Sequence, residues 1–170
     1  MKVVPWRIGH GFDVHALADG HSLVLGGVRI PYPQGLVGHS DADVLLHAIT
    51  DALLGALAIG DLGTHFPPTD PAYKNCDSCL LLCHAQRLVT ESQYAIMNID
   101  STIMVERPLL QPFIDSMRMR IAEQLGLQMM QVSVKATTTE RLGFVGRCEG
   151  IAAEAVVLLM AETAQTEGDR

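Results

Sequence analysis

The segment DADVLLHAITDALLGALA, residues 41–58, constrains this chain more than any other. Val44, Leu45, Ile49, Ala52, Leu53 and Ala56 recur there at helical spacing. A helix this apolar needs cover on most of its circumference. Ser40 with Asp43 three residues on resembles a capping arrangement at its start, and Gly60 can end it. The cover comes from strand-like segments. Residues 6–15 read as a first strand carrying glycines at 9 and 11, and 95–105 alternates, with Met97, Ile99, Ser101, Ile103 and Val105 on one side. Residues 131–136 read as a short strand, and 23–30 as a bent strand or hairpin around Gly26-Gly27. Residues 151–160 are apolar nearly throughout, and periodicity leaves a buried strand and a short helix both open.

Further helices are expected over 77–90 and from Pro112 to Leu125, where Gly126 stops the second. Residues 31–38 read as a loop. The proline- and glycine-bearing stretch 60–74 reads as a long loop without regular structure, of the kind that often carries function. Strands alternating with helices predict an α/β (α+β) class. With 48% hydrophobic and 18% charged residues in 170, one domain spanning 1–170 is expected.

The charge of -7 and only three lysines, at 2, 74 and 135, leave no basic stripe for nucleic acid. No apolar run is long enough to span a bilayer, and the first 15 residues lack a signal-peptide core, so a cytoplasmic protein is expected. Cys76, Cys79 and Cys83 with His84 have a zinc-like spacing. The apolar side of the 77–90 helix favours buried thiols there instead.

Three constellations carry chemistry. In Asp13-Val14-His15, residues two apart on a strand point to one face and can offer oxygen and nitrogen to one ion. A catalytic zinc takes three protein ligands. His47 is the best third candidate, because Asp43, His47 and Asp51 form a polar column four residues apart on the apolar helix. His10, His39 and His65 compete with it, and a satisfied core histidine fits the same spacing. Lys135 to Glu140 places three threonines at a strand end, suited to phosphate oxygens, with Glu140 available to a hard cation. Gly143, Gly146 and Gly150 permit tight turns around Arg147, a phosphate or carboxylate clamp. Neither a P-loop nor a Rossmann fingerprint is present.

The segments RIGHGFDVHA (7–16), GGVRIP (26–31), HSDADVLLHAITDALLGA (39–56), GDLGTHFPPTDPAYK (60–74), VKATTTERLGFVGR (134–147) and EGIAAEAV (149–156) closely resemble the 2-C-methyl-D-erythritol 2,4-cyclodiphosphate synthase family. The resemblance implies a single-layer mixed sheet with helices on one face, assembled as a homotrimer around a central cavity. It implies cyclisation of 4-diphosphocytidyl-2-C-methyl-D-erythritol 2-phosphate with release of CMP. It further implies Zn2+ on Asp13, His15 and His47, and Mg2+ or Mn2+ on Glu140. His39 and Thr138 are implied as the residues that stabilise charge at the transferred phosphorus. Asp13, His15, His39, Ser40, Asp61, Leu62, Gly63, Phe66, Pro67, Thr69 and Asp70 are implied around the methylerythritol phosphate. Pro108, Ala136, Thr137, Thr138, Thr139 and Glu140 are implied around the cytidyl diphosphate, with Phe144 and Arg147 in the ligand-contact region. Arg147 and Glu149 are implied to face the central cavity, where an isoprenoid diphosphate binds. Pro68 departs from the family's usual Asp, and the CxxC is this chain's own. A zinc-dependent phosphoester hydrolase, and an isoprenoid-diphosphate-binding module without turnover, are the alternatives.

Overall fold

The structure, a computed structural model, describes residues 4–67, 70 and 76–162. Strand β1 (Trp6–Asp19) is followed by β2 (Leu23–Leu25), β3 (Val28–Ile30) and β4 (Gln34–Leu36). Helices α1 (Val44–Leu57), α2 (Leu62–His65) and α3 (Ser78–Glu91) lead to β5 (Tyr94–Met104). Helix α4 (Ile114–Leu125), β6 (Val132–Thr137), α5 (Gly143–Gly146) and β7 (Gly150–Ala161) complete the order.

Five strands form one mixed sheet in the order β4-β1-β7-β5-β6, with only the β5–β6 pair parallel. The open question over 151–160 resolves as a strand. Both edges of β7 are taken, by β1 and by β5, along nearly its whole length. Ile151, Ala153, Ala155, Val157 and Leu159 point to the helical side and are fully buried.

Two glycines decide how closely α1 lies on that sheet. A Cβ at Gly9 would sit 1.8 Å from the Ala52 carbonyl oxygen, and one at Gly11 2.0 Å from that of Ala48. Only a strand without side chains at these points lets the α1 backbone rest directly on it. That contact carries His47 over Asp13 and His15. Among the described residues no helix covers the opposite sheet face. Ile8, Phe12, Val14 and Val156 are exposed there, among His10, Glu154, Asp100 and Lys135.

Several boundaries differ from the sequence reading, each for a local reason. The α1 cap is Asp43, not Ser40: its side chain accepts from the Leu46 N–H, so the helix begins at Val44. The helix closes at Ala58, in the left-handed region at φ 59, before Gly60 is reached. Residues 23–30 are the β2–β3 hairpin, and its Gly26 and Gly27 both have positive φ, as a primed two-residue turn needs. Strand β1 runs on to Asp19, and β4 lies inside the expected 31–38 loop, because the two pair with each other as a sheet edge. The 60–74 stretch is not wholly irregular. Asp61 caps α2 there, accepting from the Thr64 N–H at 2.8 Å. In β5 the register shifts between Ile96 and Asn98, which moves Met97 off the buried row and puts Ile96 on it.

Candidate active site

Three side chains converge where α1 crosses β1. Asp13 Oδ2 lies 3.0 Å from His15 Nε2 and 2.9 Å from His47 Nδ1, and the two ring nitrogens are 3.1 Å apart. Nitrogen and oxygen donors of a tetrahedral zinc stand about 3.3 Å from one another. The donor set and its closeness therefore fit such an ion, and this is the one metal-type cluster of three or more such side chains among the described residues. The far side of each ring is also held. His15 Nδ1 donates to the Val37 carbonyl at 2.8 Å, and His47 Nε2 faces Ser78 Oγ at 2.9 Å and Ser40 Oγ at 3.1 Å. Partners of this kind fix the orientation of ligating imidazoles.

Burial opposes ionisation of Asp13. The imidazoles of His15 and His47 beside it outweigh that cost and hold the carboxyl well below its usual range. Burial likewise works against a charged His15, but Asp13 beside it raises the imidazole above its ordinary value.

The polar column expected on α1 divides into three separate tasks. Only His47 faces the site. Asp43 is fully buried and accepts from Gly26 N–H at 2.9 Å and Gly27 N–H at 2.7 Å, tying α1 to the hairpin turn. Asp51 accepts from the Leu62 N–H at 2.6 Å and holds α2. Behind His47 stand two serine hydroxyls, and neither carboxylate of that column. Of the rival histidines, His10 lies on the open sheet face, 3.8 Å from Glu154, and His65 Nε2 is 3.0 Å from the Ile59 carbonyl.

A cavity surrounds the three-residue cluster, lined by Asp13, His15, His39, Ser40, His47, Leu62, Gly63, Phe66 and Leu81. His39 is exposed, with Nε2 3.5 Å from the Asp70 carbonyl. Asp61 does not line this cavity, because its carboxylate is engaged by Thr64. Pro67 is exposed and Asp70 half-buried. Thr69 and Pro68 lie outside the described residues.

The threonine-rich turn stands elsewhere. A second cavity is lined by Val105, Glu106, Pro108, Leu109, Leu110, Ala136, Thr137 and Thr138. Asp13 pairs across to Ala153, Ala153 to Ile103, and Ile103 to Ala136. Ala136 is therefore three strands from Asp13 on the same row, about 14 Å away. Within one chain Glu140 does not join the histidines. It is exposed at φ 52, beside Thr138, with Oε1 accepting from the Thr138 hydroxyl at 3.3 Å. Thr139 Oγ1 donates to the Leu142 carbonyl and closes the turn. Phe144 is exposed, and Arg147 grips Glu149 through two bonds of 2.9 and 2.8 Å on the surface.

The cysteines do not converge. Cys79 is buried against the hairpin at Gly27, Cys83 Sγ contacts Gln124, and His84 packs edge-on against Phe66 at 5.1 Å. Two residues that bear on the site carry no signal in sequence spacing: Ser78, at the start of α3, and Leu81, one turn along. Only the packing of α3 on α1 places them there.

An α+β scaffold with an Asp-His-His cluster at metal-ligand spacing, opening into a cavity, defines a metal-dependent enzyme. The YgbB family matches residues 6–160. The chain belongs to that family. It is 60% identical over 90% of its length to 2-C-methyl-D-erythritol 2,4-cyclodiphosphate synthase of Geobacter metallireducens, covering 98% of that protein. The Moorella thermoacetica enzyme of the same name is 62% identical over 91% of the chain and 94% of its own length. Among solved structures, the bifunctional IspDF of Campylobacter jejuni superposes with a TM-score of 0.89 at 44% identity, over 92% of this chain and 42% of that one. The Plasmodium falciparum IspF in complex with CDP gives 0.83 at 32% identity, over 95% of this chain and 99% of that one. No helix among the described residues is long and apolar enough to cross a membrane.

Proposed function

We propose that this chain converts 4-diphosphocytidyl-2-C-methyl-D-erythritol 2-phosphate to 2-C-methyl-D-erythritol 2,4-cyclodiphosphate, the product that its relatives' name states for them. The observation that carries the reading is the convergence of Asp13, His15 and His47 within one cavity. An oxygen of the 2-phosphate attacks the β-phosphorus. The bond from that phosphorus to the oxygen bridging to the α-phosphorus breaks, and CMP leaves with the electron pair. Zinc on Asp13, His15 and His47, and Mg2+ or Mn2+ at Glu140, would offset the charge of the phosphates and act as Lewis acids. Asp13, whose carboxyl is held well below its usual range by the neighbouring imidazoles, stays an anionic ligand at neutral pH.

The remaining assignments follow the same reading. His39 and Thr138 stabilise charge at the transferred phosphorus. Ser40, Leu62, Gly63 and Phe66 seat the methylerythritol phosphate, with Asp61, Pro67 and Asp70 around its mouth, and Thr69, outside the described residues, is assigned to the same ligand. Pro108, Ala136, Thr137, Thr139 and Glu140 hold the cytidyl diphosphate, with Phe144 and Arg147 near it. Two cavities about 14 Å apart within one chain support a site shared between adjacent subunits of a homotrimer. The exposed apolar side chains Ile8, Phe12, Val14 and Val156 on the open sheet face support the same assembly. Each subunit is one domain, the trimer works in the cytoplasm, and Arg147 with Glu149 borders a central cavity open to an isoprenoid diphosphate.

Incubation of the zinc- and magnesium-supplied protein with the cytidyl substrate, followed by phosphorus NMR, tests the reaction. Equal amounts of CMP and cyclic diphosphate are expected. Release of a linear phosphate instead would establish a hydrolase.

A further inference from the structure

Ser78 opens α3, is fully buried, and has no part in the chemistry above. Its Oγ lies 2.9 Å from His47 Nε2. On its other side that hydroxyl donates to Asp41 Oδ1, and its backbone N–H donates to Asp41 Oδ2 at 3.2 Å. The Asp41 N–H in turn donates to the Cys76 carbonyl at 3.0 Å. We propose that Asp41 and Ser78 are positioning residues that set the proton direction across His47, so that Nδ1 presents a bare lone pair between Asp13 and His15. This inference rests on reading the cluster as a metal site.

The argument is one of hydrogen-bond polarity. An ionised carboxylate only accepts. The Ser78 hydroxyl hydrogen is therefore committed to Asp41, and what Ser78 turns toward His47 is a lone pair. Ser40 Oγ, 3.1 Å from the same nitrogen, accepts from the Ala42 N–H at 3.2 Å and has Ser78 Oγ within 3.4 Å for its own hydrogen. Nε2 thus meets two acceptors and carries the proton of the neutral ring. Nδ1 is left unprotonated, the form a metal needs. The opposite tautomer is otherwise attractive, because Asp13 Oδ2 at 2.9 Å would accept an Nδ1–H. The Asp41–Ser78 pair acts against that competitor. His15 gets the same service from a backbone carbonyl, that of Val37. His47, in the first turn of α1, obtains it from side chains.

The test uses Ser78→Ala, Asp41→Ala and the double variant, with zinc as the probe against a chromophoric chelator. Nitrogen-15 shifts of the His47 ring are read in the metal-free proteins. In Asp41→Ala the serine hydroxyl is released to donate to Nε2. The ring should shift toward its Nδ1–H form, and zinc affinity should fall about ten- to hundredfold. Ser78→Ala leaves Ser40 as acceptor and should cost less than about tenfold. The double variant removes the misdirected donor, so it should bind zinc more tightly than Asp41→Ala alone. Simple structural damage would add instead of cancelling. Wild-type affinity and tautomer in Asp41→Ala would overturn the proposal, as would a double variant weaker than Asp41→Ala. If wild type takes up no zinc, or His47→Ala holds as much, the metal reading fails. The tautomer comparison in metal-free protein still decides the proton direction.

Discussion

Asp13 and Asp43 are the same residue type, and the fold drives their acidities in opposite directions. Asp13 meets two imidazoles and is held low. Asp43 meets backbone donors and the nearby Asp41 charge: burial pushes its carboxyl up to about 6, although Gly27, Leu46 and Gly26 all donate to it, and Asp41 adds to the rise. An Asp raised in the folded state binds its proton more tightly there than in the unfolded chain. Its contribution to stability is complete below about pH 4 and is lost as pH rises through about 6. Asp43→Asn keeps one acceptor oxygen for three donors, and should cost about 1–3 kcal/mol in urea unfolding. The gap between wild type and variant should also narrow as pH rises from about 4 to 6. A gap constant across that window would show that Asp43 does not titrate there.

Among the elements, the α1–β1 contact positions the metal ligands, and two glycines in β1 permit it. Gly11→Ala would force a Cβ to within 2.0 Å of the Ala48 carbonyl, backbone against backbone, so the helix itself must move. A loss of about 3 kcal/mol is expected, at the upper end for overpacking. It should be seen as a lower urea midpoint with an unchanged slope. Because His47 lies one residue before Ala48, zinc content should fall in the molecules that remain folded. An unshifted midpoint would mean that β1 yields without disturbing α1. The hairpin and α2 take part at the same scale, since Asp43 at the start of α1 and Asp51 at its middle fasten them to that helix.

At the scale of the whole molecule, the separation of the two cavities is the decisive fact. If neighbouring subunits complete each other's site, variants broken in different cavities should complement. Equal mixing of His47→Ala with Thr138→Ala subunits, unfolded and refolded together, should restore about a quarter of wild-type activity, because one junction in four joins two intact halves. A mixture as inactive as its parents would place the whole reaction within single subunits.

The chain's sequence alone carried the apolar helix α1, the pairing of Asp13 with His15, the threonine turn and the family resemblance, because each is a local pattern read along the chain. It favoured His47 as the third ligand over His10, His39 and His65, without showing that the three side chains meet. The tertiary structure decided that choice through the bare backbone of Gly9 and Gly11, and it decided that β7 is a strand by supplying partners on both edges. It also assigned Asp43 and Asp51 to holding neighbours in place, and brought Ser78 behind His47 from 31 residues away. Spacing along a chain determines which side chains share a face. What that face meets depends on the approach of distant segments, and hydrogen bonds form only after that approach is made.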